Sequence, residues 1–362
     1  MIDRGWRRSG TYCYKPDLRT SCCPQYTIRL DTAAFEASKS QRKLINRWTR
    51  HVVGDGDTLG TKISSASKPK SSAQIFSLED ALHASEKTFA GDDAVHAFEV
   101  TLELSSFTEE KFTLYQSYEA SIHKKPNKDR SNFKAFLVDS PLHRQPIPYT
   151  APPADHLPTH YGLHHQMYRL DGRLIGMGII DILPNCVSSV YFMWEAEFEK
   201  FSLGKLSALR EISLAREIHN AGMLHMKYLY MGYYIHTCQK MKYKGEYGPS
   251  YLADPEDWSW HPLAMCKKLL DRNRYASFAH PDHTVASSLN ENERKQTFVG
   301  PDLSSEDLSR VYVVHVGQGR PTAILATASP EWTLPEMRQA ITACVRALGI
   351  ELANDIIFYN GL

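Results

Sequence analysis

The chain carries almost no net charge: 42 lysines and arginines stand against 41 aspartates and glutamates, a formal +1 over 362 residues. That balance excludes a protein basic over its whole surface, so any nucleic-acid contact must be a local patch. Long apolar runs are also missing. The longest, Leu174–Ile180, is too short to span a bilayer. The charged start (Asp3, Arg4, Arg7, Arg8) lacks the apolar stretch of a signal peptide. Internal repeats are absent. Cysteines number seven, an odd count, and four are scattered singly. Without an export signal they read as mostly free thiols in a reducing, cytosolic setting.

Glycines are scarce where two common phosphate motifs need them. Gly172-x-x-x-Gly176-x-Gly178 runs along a strand rather than into a helix, which excludes a dinucleotide fingerprint. An acetyl-CoA turn needs closely spaced glycines whose amides cradle a pyrophosphate at a helix start. Here that turn is Lys200-Phe-Ser-Leu-Gly204-Lys-Leu, with one glycine and the bulky Leu206. The usual acyl carrier is therefore disfavoured. Ser202, Lys205 and Ser207 still bring donors and charge to the helix start, where a phosphate or sugar of another carrier could lie.

What is present supports a large core, with 42% hydrophobic residues. Residues 54–74, rich in Gly, Ser and Lys, read as a flexible insertion. His96–Leu104 alternates strictly and is a half-buried strand. Ser106-x-x-Glu109 has the pattern of a capping box opening a helix to about His123, and the proline-rich Pro141–Pro158 cannot be regular structure. His165–Leu170 and Arg173–Asp181 flank an Asp171-Gly172 hairpin turn. Val187–Trp194 is a third strand, Leu203–His219 a helix stopped by Asn220-Ala-Gly222, and Lys227–Ile235 a fourth strand. Pro335–Leu348 is a helix ended by Gly349, and Asp355–Tyr359 a last strand. This order, β-β-β-α-β and then α-β, is that of a GNAT-like acyltransferase fold of the α/β (α+β) class, a mixed splayed sheet with flanking helices.

Three further stretches carry chemistry. Cys22-Cys23, with Cys13 nearby, is cysteine-dense, but a metal or cluster ordinarily takes four ligands. Lys227–Tyr247 interleaves Tyr230, Tyr233 and Tyr234 with Lys240, Lys242 and Lys244. Such a stretch suits single-stranded nucleic acid, or equally a tyrosine-rich strand facing a core beside a solvated lysine turn. Glu195 and Glu197 follow a strand whose end meets the Ser202–Ser207 turn, where cofactor and substrate meet in a splayed sheet.

Together, Gly5-Trp-Arg-Arg-Ser-Gly10, Cys22-Cys-Pro-Gln-Tyr-Thr-Ile-Arg29, Asp181–Tyr191, Ser202–Glu211, Tyr230–His236 and Lys240–Gly245 resemble the arginyl-tRNA–protein transferases. The match runs from residue 3 to about 262 and is looser beyond. The resemblance implies transfer of arginine from Arg-tRNA(Arg) to the α-amine of proteins beginning with Asp, Glu or oxidised Cys, in an N-degron pathway of the cytoplasm and also the nucleus. The amine's ordinary pKa near ~8 asks only for a modest base. The ester is already activated, so no cofactor is required for catalysis and no membrane partner is implied.

The resemblance also implies residue roles. Arg7, Arg8 and Ser9 would hold the acceptor's acidic side chain, by the match of guanidinium to carboxylate. Glu195 and Glu197 stand where the family has two aspartates flanking a proline, and are the candidate catalytic carboxylates, either binding the donor's arginyl group or accepting the amine proton. Ser202, Lys205, Ser207 and Arg210 would meet the tRNA 3′ end; Tyr230, Tyr233, Tyr234, Lys240, Lys242 and Lys244 would carry acceptor-stem contacts. In the family, Cys22 and Cys23 are joined by a Cys-x-x-Cys ahead of this chain's start. An N-terminally truncated chain with an incomplete, unoccupied zinc or iron–sulfur site is the expectation. Residues 1–30 would then be the remnant of a cysteine-containing domain, 31–160 a connecting region and 161–362 the C-terminal transferase domain; roughly 270–310 reads as an insertion. Two other readings remain open, an acetyl-CoA-dependent N-acetyltransferase of the same fold and a non-catalytic tRNA-binding protein.

Overall fold

The computed structural model describes residues 1–54, 76–91, 94–125, 128–286, 303–317 and 320–359. The insertion expected at 54–74 lies outside these residues from position 55 onward, as does 287–302 within the loop expected near 270–310.

Eight strands form one mixed sheet. After a small hairpin of β1 (Arg7–Ser9) and β2 (Tyr12–Tyr14) come β3 (Tyr26–Asp31), β4 (Phe98–Leu104), β5 (Gly162–Leu170), β6 (Arg173–Leu183), β7 (Cys186–Trp194), β8 (Tyr228–Tyr234), β9 (Ser250–Ala253) and β10 (Trp260–Pro262). Their order across the sheet is β10-β9-β3-β8-β7-β6-β5-β4. The β5–β6 hairpin turns on Asp171 (φ 51°) and Gly172 (φ 79°), both left-handed, as an Asp-Gly turn requires. All neighbours are antiparallel except β7 and β8, which a helical crossover joins in parallel.

That parallel pair is brief. Only Cys186–Ser188 and Tyr228–Tyr230 are in register, and then the strands part. Both carry an irregularity just past the fork. On β7, Ile179 pairs with Tyr191 and Ile180 with Ser189, leaving Val190 over. On β8, Thr27 pairs with Tyr233 and Arg29 with Tyr230, so Met231 and Gly232 stand opposite Ile28 alone. Gly232 takes φ 66°, which glycine adopts without strain. Bulges bend their strands, and two of them here open a cleft in mid-sheet.

Helices cover both faces. We label them α1 (Lys39–Val53), α2 (Leu78–His83), α3 (Glu109–Ser121), α4 (Leu203–Asn220), α5 (Leu263–Leu270) and α6 (Pro335–Leu348). On one face, α1 and α4 supply Leu44, Trp48, Leu206, Leu209, Ile212 and Ile218 to the main core. On the other, α3 supplies Phe112, Leu114, Tyr115 and Tyr118 against Leu163, Met177 and Met193. β6 contributes to both cores, with Ile180 and Ile182 on one side and Leu174 and Ile179 on the other. Helix α3 begins two residues later than its Ser106 pattern implied: Thr108 is the cap, its hydroxyl accepting from the Lys111 amide at 3.3 Å.

The sheet takes β3 and β4 from the first 160 residues, so the segments 1–30, 31–160 and 161–362 do not have separate cores. A smaller unit does. Residues 305–359 build a three-stranded sheet of β13 (Tyr312–Gly317), β14 (Arg320–Leu325) and β15 (Ile357–Tyr359), with α6 and their own apolar cluster, after the short pair β11 (Asn273–Tyr275) and β12 (Val285–Ala286). No helix among the described residues is long and apolar enough to cross a membrane.

Candidate active site

The cleft opens toward the carboxyl ends of β7 and β8, where α4 begins. Ser202 caps α4 with φ 54°, a left-handed conformation uncommon outside glycine, and no side chain satisfies the helix's first amides. Lys205 is exposed beside them and pairs with Glu246 at 3.6 Å. A helix start of this kind attracts anions. Directly across from it runs α1, and a groove of about 840 Å³ separates the two, lined among others by Lys43, Arg47, Arg50, Ser202, Lys205 and Tyr247. Lys39, Lys43, Arg47 and Arg50 recur at helical spacing on α1's exposed face, while Leu44, Ile45, Trp48 and Val52 fill the core behind. Sequence reasoning missed this stripe, although its period was visible.

At the fork itself lies Glu211, on the third turn of α4. It is 1% exposed. Ser189, the first residue of β7 past the parallel pairing, donates to its Oε1 at 3.3 Å, and its Oε2 has no hydrogen-bond partner among the described residues. Burial pushes its carboxyl up to about 8, against a small opposing effect of the Ser189 hydroxyl. It stands inside Ser202–Glu211, one of the stretches that carry the family resemblance, but from sequence alone a glutamate on a helix reads as surface by default.

The residues singled out from the sequence divide sharply. Arg8 donates from Nε to Asp181 Oδ2 at 2.7 Å and from Nη2 to Oδ1, and both side chains are less than a tenth exposed. Arg7 donates to the carbonyls of Ile2 (3.0 Å), Trp6 (2.7 Å) and Gly232 (3.2 Å), and its guanidinium lies over the rings of Tyr230 and Tyr233. Its Nε alone is unpartnered. Ser9 is in β1, paired with Tyr12. The next residue, Gly10 (φ 59°), packs so closely that a Cβ would lie 1.8 Å from the Ala135 carbonyl oxygen.

Tyr230 and Tyr234 are fully buried and Tyr233 is 5% exposed. The Tyr230 hydroxyl donates to Asp3 and that of Tyr233 to the Gly5 carbonyl at 2.8 Å, and the Tyr234 hydroxyl is hydrogen-bonded to His236 Nδ1 at 2.8 Å. None offers an open ring face on which a base could stack, so of the two readings of this stretch the core-facing strand is the one observed. Lys240 is exposed and Lys242 half-buried. Lys244 donates to the Tyr233 carbonyl at 2.8 Å, and burial, with Arg7 nearby, lowers its ammonium to about 8. Arg210 is buried and bound to Glu86 and to the Leu82 carbonyl, and the buried Ser207 donates back to the Gly204 carbonyl, so neither reaches the groove. Glu195 and Glu197 do not line it either. Arg173 pairs with both, at 3.8 and 2.6 Å, and Ser117 of α3 donates to Glu195.

Cys22 and Cys23 are exposed, with sulfurs 3.7 Å apart, and the neighbouring thiol raises that of Cys23. Among the described residues no third metal-ligating group joins the pair within 4.8 Å. Among the described residues this pair by itself does not make a cradle for a zinc ion or an iron–sulfur cluster.

Two family models match the chain: arginine-tRNA-protein transferase, N terminus, over residues 1–43, and arginine-tRNA-protein transferase, C terminus, over residues 110–254. Arginyl-tRNA–protein transferase 1 of Drosophila melanogaster is 31% identical, covering 76% of this chain and 77% of that one. Arginyl-tRNA–protein transferase 2 of Arabidopsis thaliana is 26% identical over 86% of this chain and 76% of its own. An aspartate/glutamate leucyltransferase of Pseudomonas savastanoi is 26% identical over 71% of this chain and 80% of its own. The likeness thus reaches across the hairpin, the cleft and the start of α4, and the chain belongs to the arginyl-tRNA–protein transferase family.

Proposed function

We propose that the chain transfers arginine from Arg-tRNA to the N-terminal α-amine of proteins, on a GNAT-like sheet whose cleft receives the aminoacyl ester. The observation that carries the reading, beside family membership, is the groove between α1 and the uncapped start of α4. It presents Lys43, Arg47, Arg50 and Lys205 together, beside the start of the helix that carries Glu211 to the fork between β7 and β8. A tRNA 3′ end brings phosphates to such cations and to the free amides of α4. The esterified arginine then points into the cleft. Glu211 takes its guanidinium: a buried carboxyl with one oxygen unpartnered is the acceptor that a fork of N–H donors needs.

The reaction requires no activation beyond the ester. The acceptor amine attacks the ester carbonyl, the tetrahedral intermediate collapses, and the tRNA 3′-terminal oxygen leaves and takes up the proton that the amine gives up. Positioning supplies most of the rate. Arg8 is neutralised by Asp181, so the grip on an acidic N-terminus falls to Arg7 through its unpartnered Nε and to Lys244 beside it. Acceptors beginning with Asp, Glu or oxidised Cys fit that pair of cations. The bacterial relatives, aspartate/glutamate leucyltransferases, support acidic acceptors. No metal is given a role in the transfer.

The test is transfer of labelled arginine from Arg-tRNA(Arg) to peptides starting with Asp, Glu or Ala, with labelled acetyl-CoA in parallel. Label on the Asp and Glu peptides alone is the expected result. Label from acetyl-CoA, or tRNA binding with no transfer at all, overturns the reading.

A further inference from the structure

The far end of α4 carries a side-chain cluster that the transfer reaction does not use. Glu217 lies fifteen residues beyond Ser202, about 22 Å along the helix from the groove. His83, the last residue of α2, and His156, from the proline-rich segment, converge on it. His156 Nε2 lies 2.5 Å from Glu217 Oε2, and His83 Nε2 lies 3.3 Å from the same oxygen. The three ligand atoms are all within 4.8 Å of one another. From these residues we propose a binding site for a zinc-like divalent ion, held by His83 Nε2, His156 Nε2 and a Glu217 carboxylate oxygen.

Three features favour a built site over a chance meeting of side chains. The first is the second layer. His83 Nδ1 is 3.0 Å from Glu86 Oε2, and Glu86 is itself held by the buried Arg210. A carboxylate on Nδ1 fixes the proton there and turns the Nε2 lone pair toward the cluster, as outer carboxylates do behind metal-bound histidines. Ser213 likewise fixes Glu217, donating to Oε1 at 2.5 Å and leaving Oε2 facing the histidines.

The second is charge. Arg210 balances one of the two carboxylates, Glu86 and Glu217, and the other is balanced by a proton that they hold on His83, whose charge a dication can take over. The third is access. His156 is exposed, and a cavity of about 590 Å³ lined by Pro152, Pro153, His156, Glu217 and Asn220 leads in from solvent. An ion there keeps open positions for water, and two imidazoles with one carboxylate suit zinc, cobalt, nickel or copper over magnesium or calcium. The three ligands come from α2, from the segment between α3 and β5, and from α4. The ion therefore ties two segments with little secondary structure of their own to the main core.

The experiment uses the full chain carrying Cys22→Ser and Cys23→Ser, so that the exposed thiols cannot take the metal. Cobalt(II) is titrated in and followed by visible absorption, and zinc binding is followed by calorimetry. One equivalent should bind, with ligand-field bands but without the thiolate charge-transfer band, and zinc should raise the melting temperature. His156→Ala, at an exposed position, should weaken binding at least tenfold and abolish the zinc-induced rise while leaving the circular dichroism intact; Glu217→Gln serves as the second variant. Absence of binding in the Cys22→Ser/Cys23→Ser chain, or binding that neither substitution weakens, overturns the proposal and leaves the cluster a network of ion pairs only.

Discussion

The β1–β2 hairpin and helix α1 are both strongly basic, and they hold their charges in opposite ways. In the hairpin, Arg8 is locked to Asp181 and Arg7 is enclosed by three carbonyls and two tyrosine rings. Along α1, Lys39, Lys43 and Arg47 stand exposed on the face opposite the core. Charge density along a sequence therefore does not measure charge available to a ligand. An arginine in a short motif, as Arg8 is, can be spent on holding a hairpin to a sheet, and its neighbour Arg7 keeps only Nε for a ligand, whereas cations spaced at three and four residues on an amphipathic helix face water by construction.

The sharpest way to break this comparison is to remove the partner that silences Arg8. Arg8→Ala leaves Asp181 buried and unpaired, which costs about 3–5 kcal/mol in measured cases. Denaturant unfolding should show a loss of that order, and Arg8→Ala/Asp181→Ala should recover part of it. A loss below about 1 kcal/mol, with acidic-peptide affinity collapsing instead, would return Arg8 to the substrate.

Next comes Glu211, the carboxyl at the fork. It keeps its proton to about pH 8 in the folded chain, whereas in the unfolded chain it loses it near the ordinary ~4.3. Between those values the folded state binds more protons, so this group makes stability fall as pH rises from about 4.5 to 8. Integrated, the fall is on the order of 4 kcal/mol. Glu211→Gln cannot ionise and should unfold at higher denaturant than the parent at pH 9 but not at pH 5. The same variant should transfer arginine about 10–100-fold more slowly, because an arriving guanidinium favours the ionised carboxylate and an amide cannot become that charged partner. Parallel stability curves for the two proteins would show that Glu211 is ionised in the fold.

These two residues also show what a sequence can disclose. The β5–β6 hairpin was legible because its turn is a local rule, Asp-Gly between alternating runs. So were α4 and the brief third and fourth strands, whose periods and stops lie within a dozen residues. Asp181 stands 173 residues from Arg8 in the chain, and nothing local in either stretch announces the other. The bulges that open the cleft arise from register between strands distant in sequence, and the burial that raises Glu211 exists only once α4 has docked on them. Glu195 and Glu197 looked well placed because they end a strand, yet the chain's path afterwards turns them toward Arg173 and α3.

Gly10→Ala tests the hairpin's seat more gently. The left-handed φ by itself costs a non-glycine residue about 1–3 kcal/mol, and the Ala135 carbonyl leaves no space for a methyl group. The melting temperature should fall while tRNA binding at a temperature where the chain is folded stays unchanged. A loss of tRNA binding without loss of stability would place nucleic acid on the hairpin and contradict the division drawn here.

The smallest expected effect belongs to the exposed region, and it separates the two regions most directly. Arg47→Glu lies on α1's outer face and lines the groove, so the fold should tolerate it within about 0.5 kcal/mol. If Arg47 meets a tRNA phosphate, affinity should drop about tenfold, and the slope of log affinity against log salt should become shallower by about one. Arg8→Ala, compared at a temperature where both variants are folded, should leave that slope where it is, because a guanidinium paired with Asp181 releases no counterion from RNA. The opposite pattern, a slope altered by Arg8 and indifferent to Arg47, would make the buried pair the phosphate contact and the helix stripe an ordinary solvated surface.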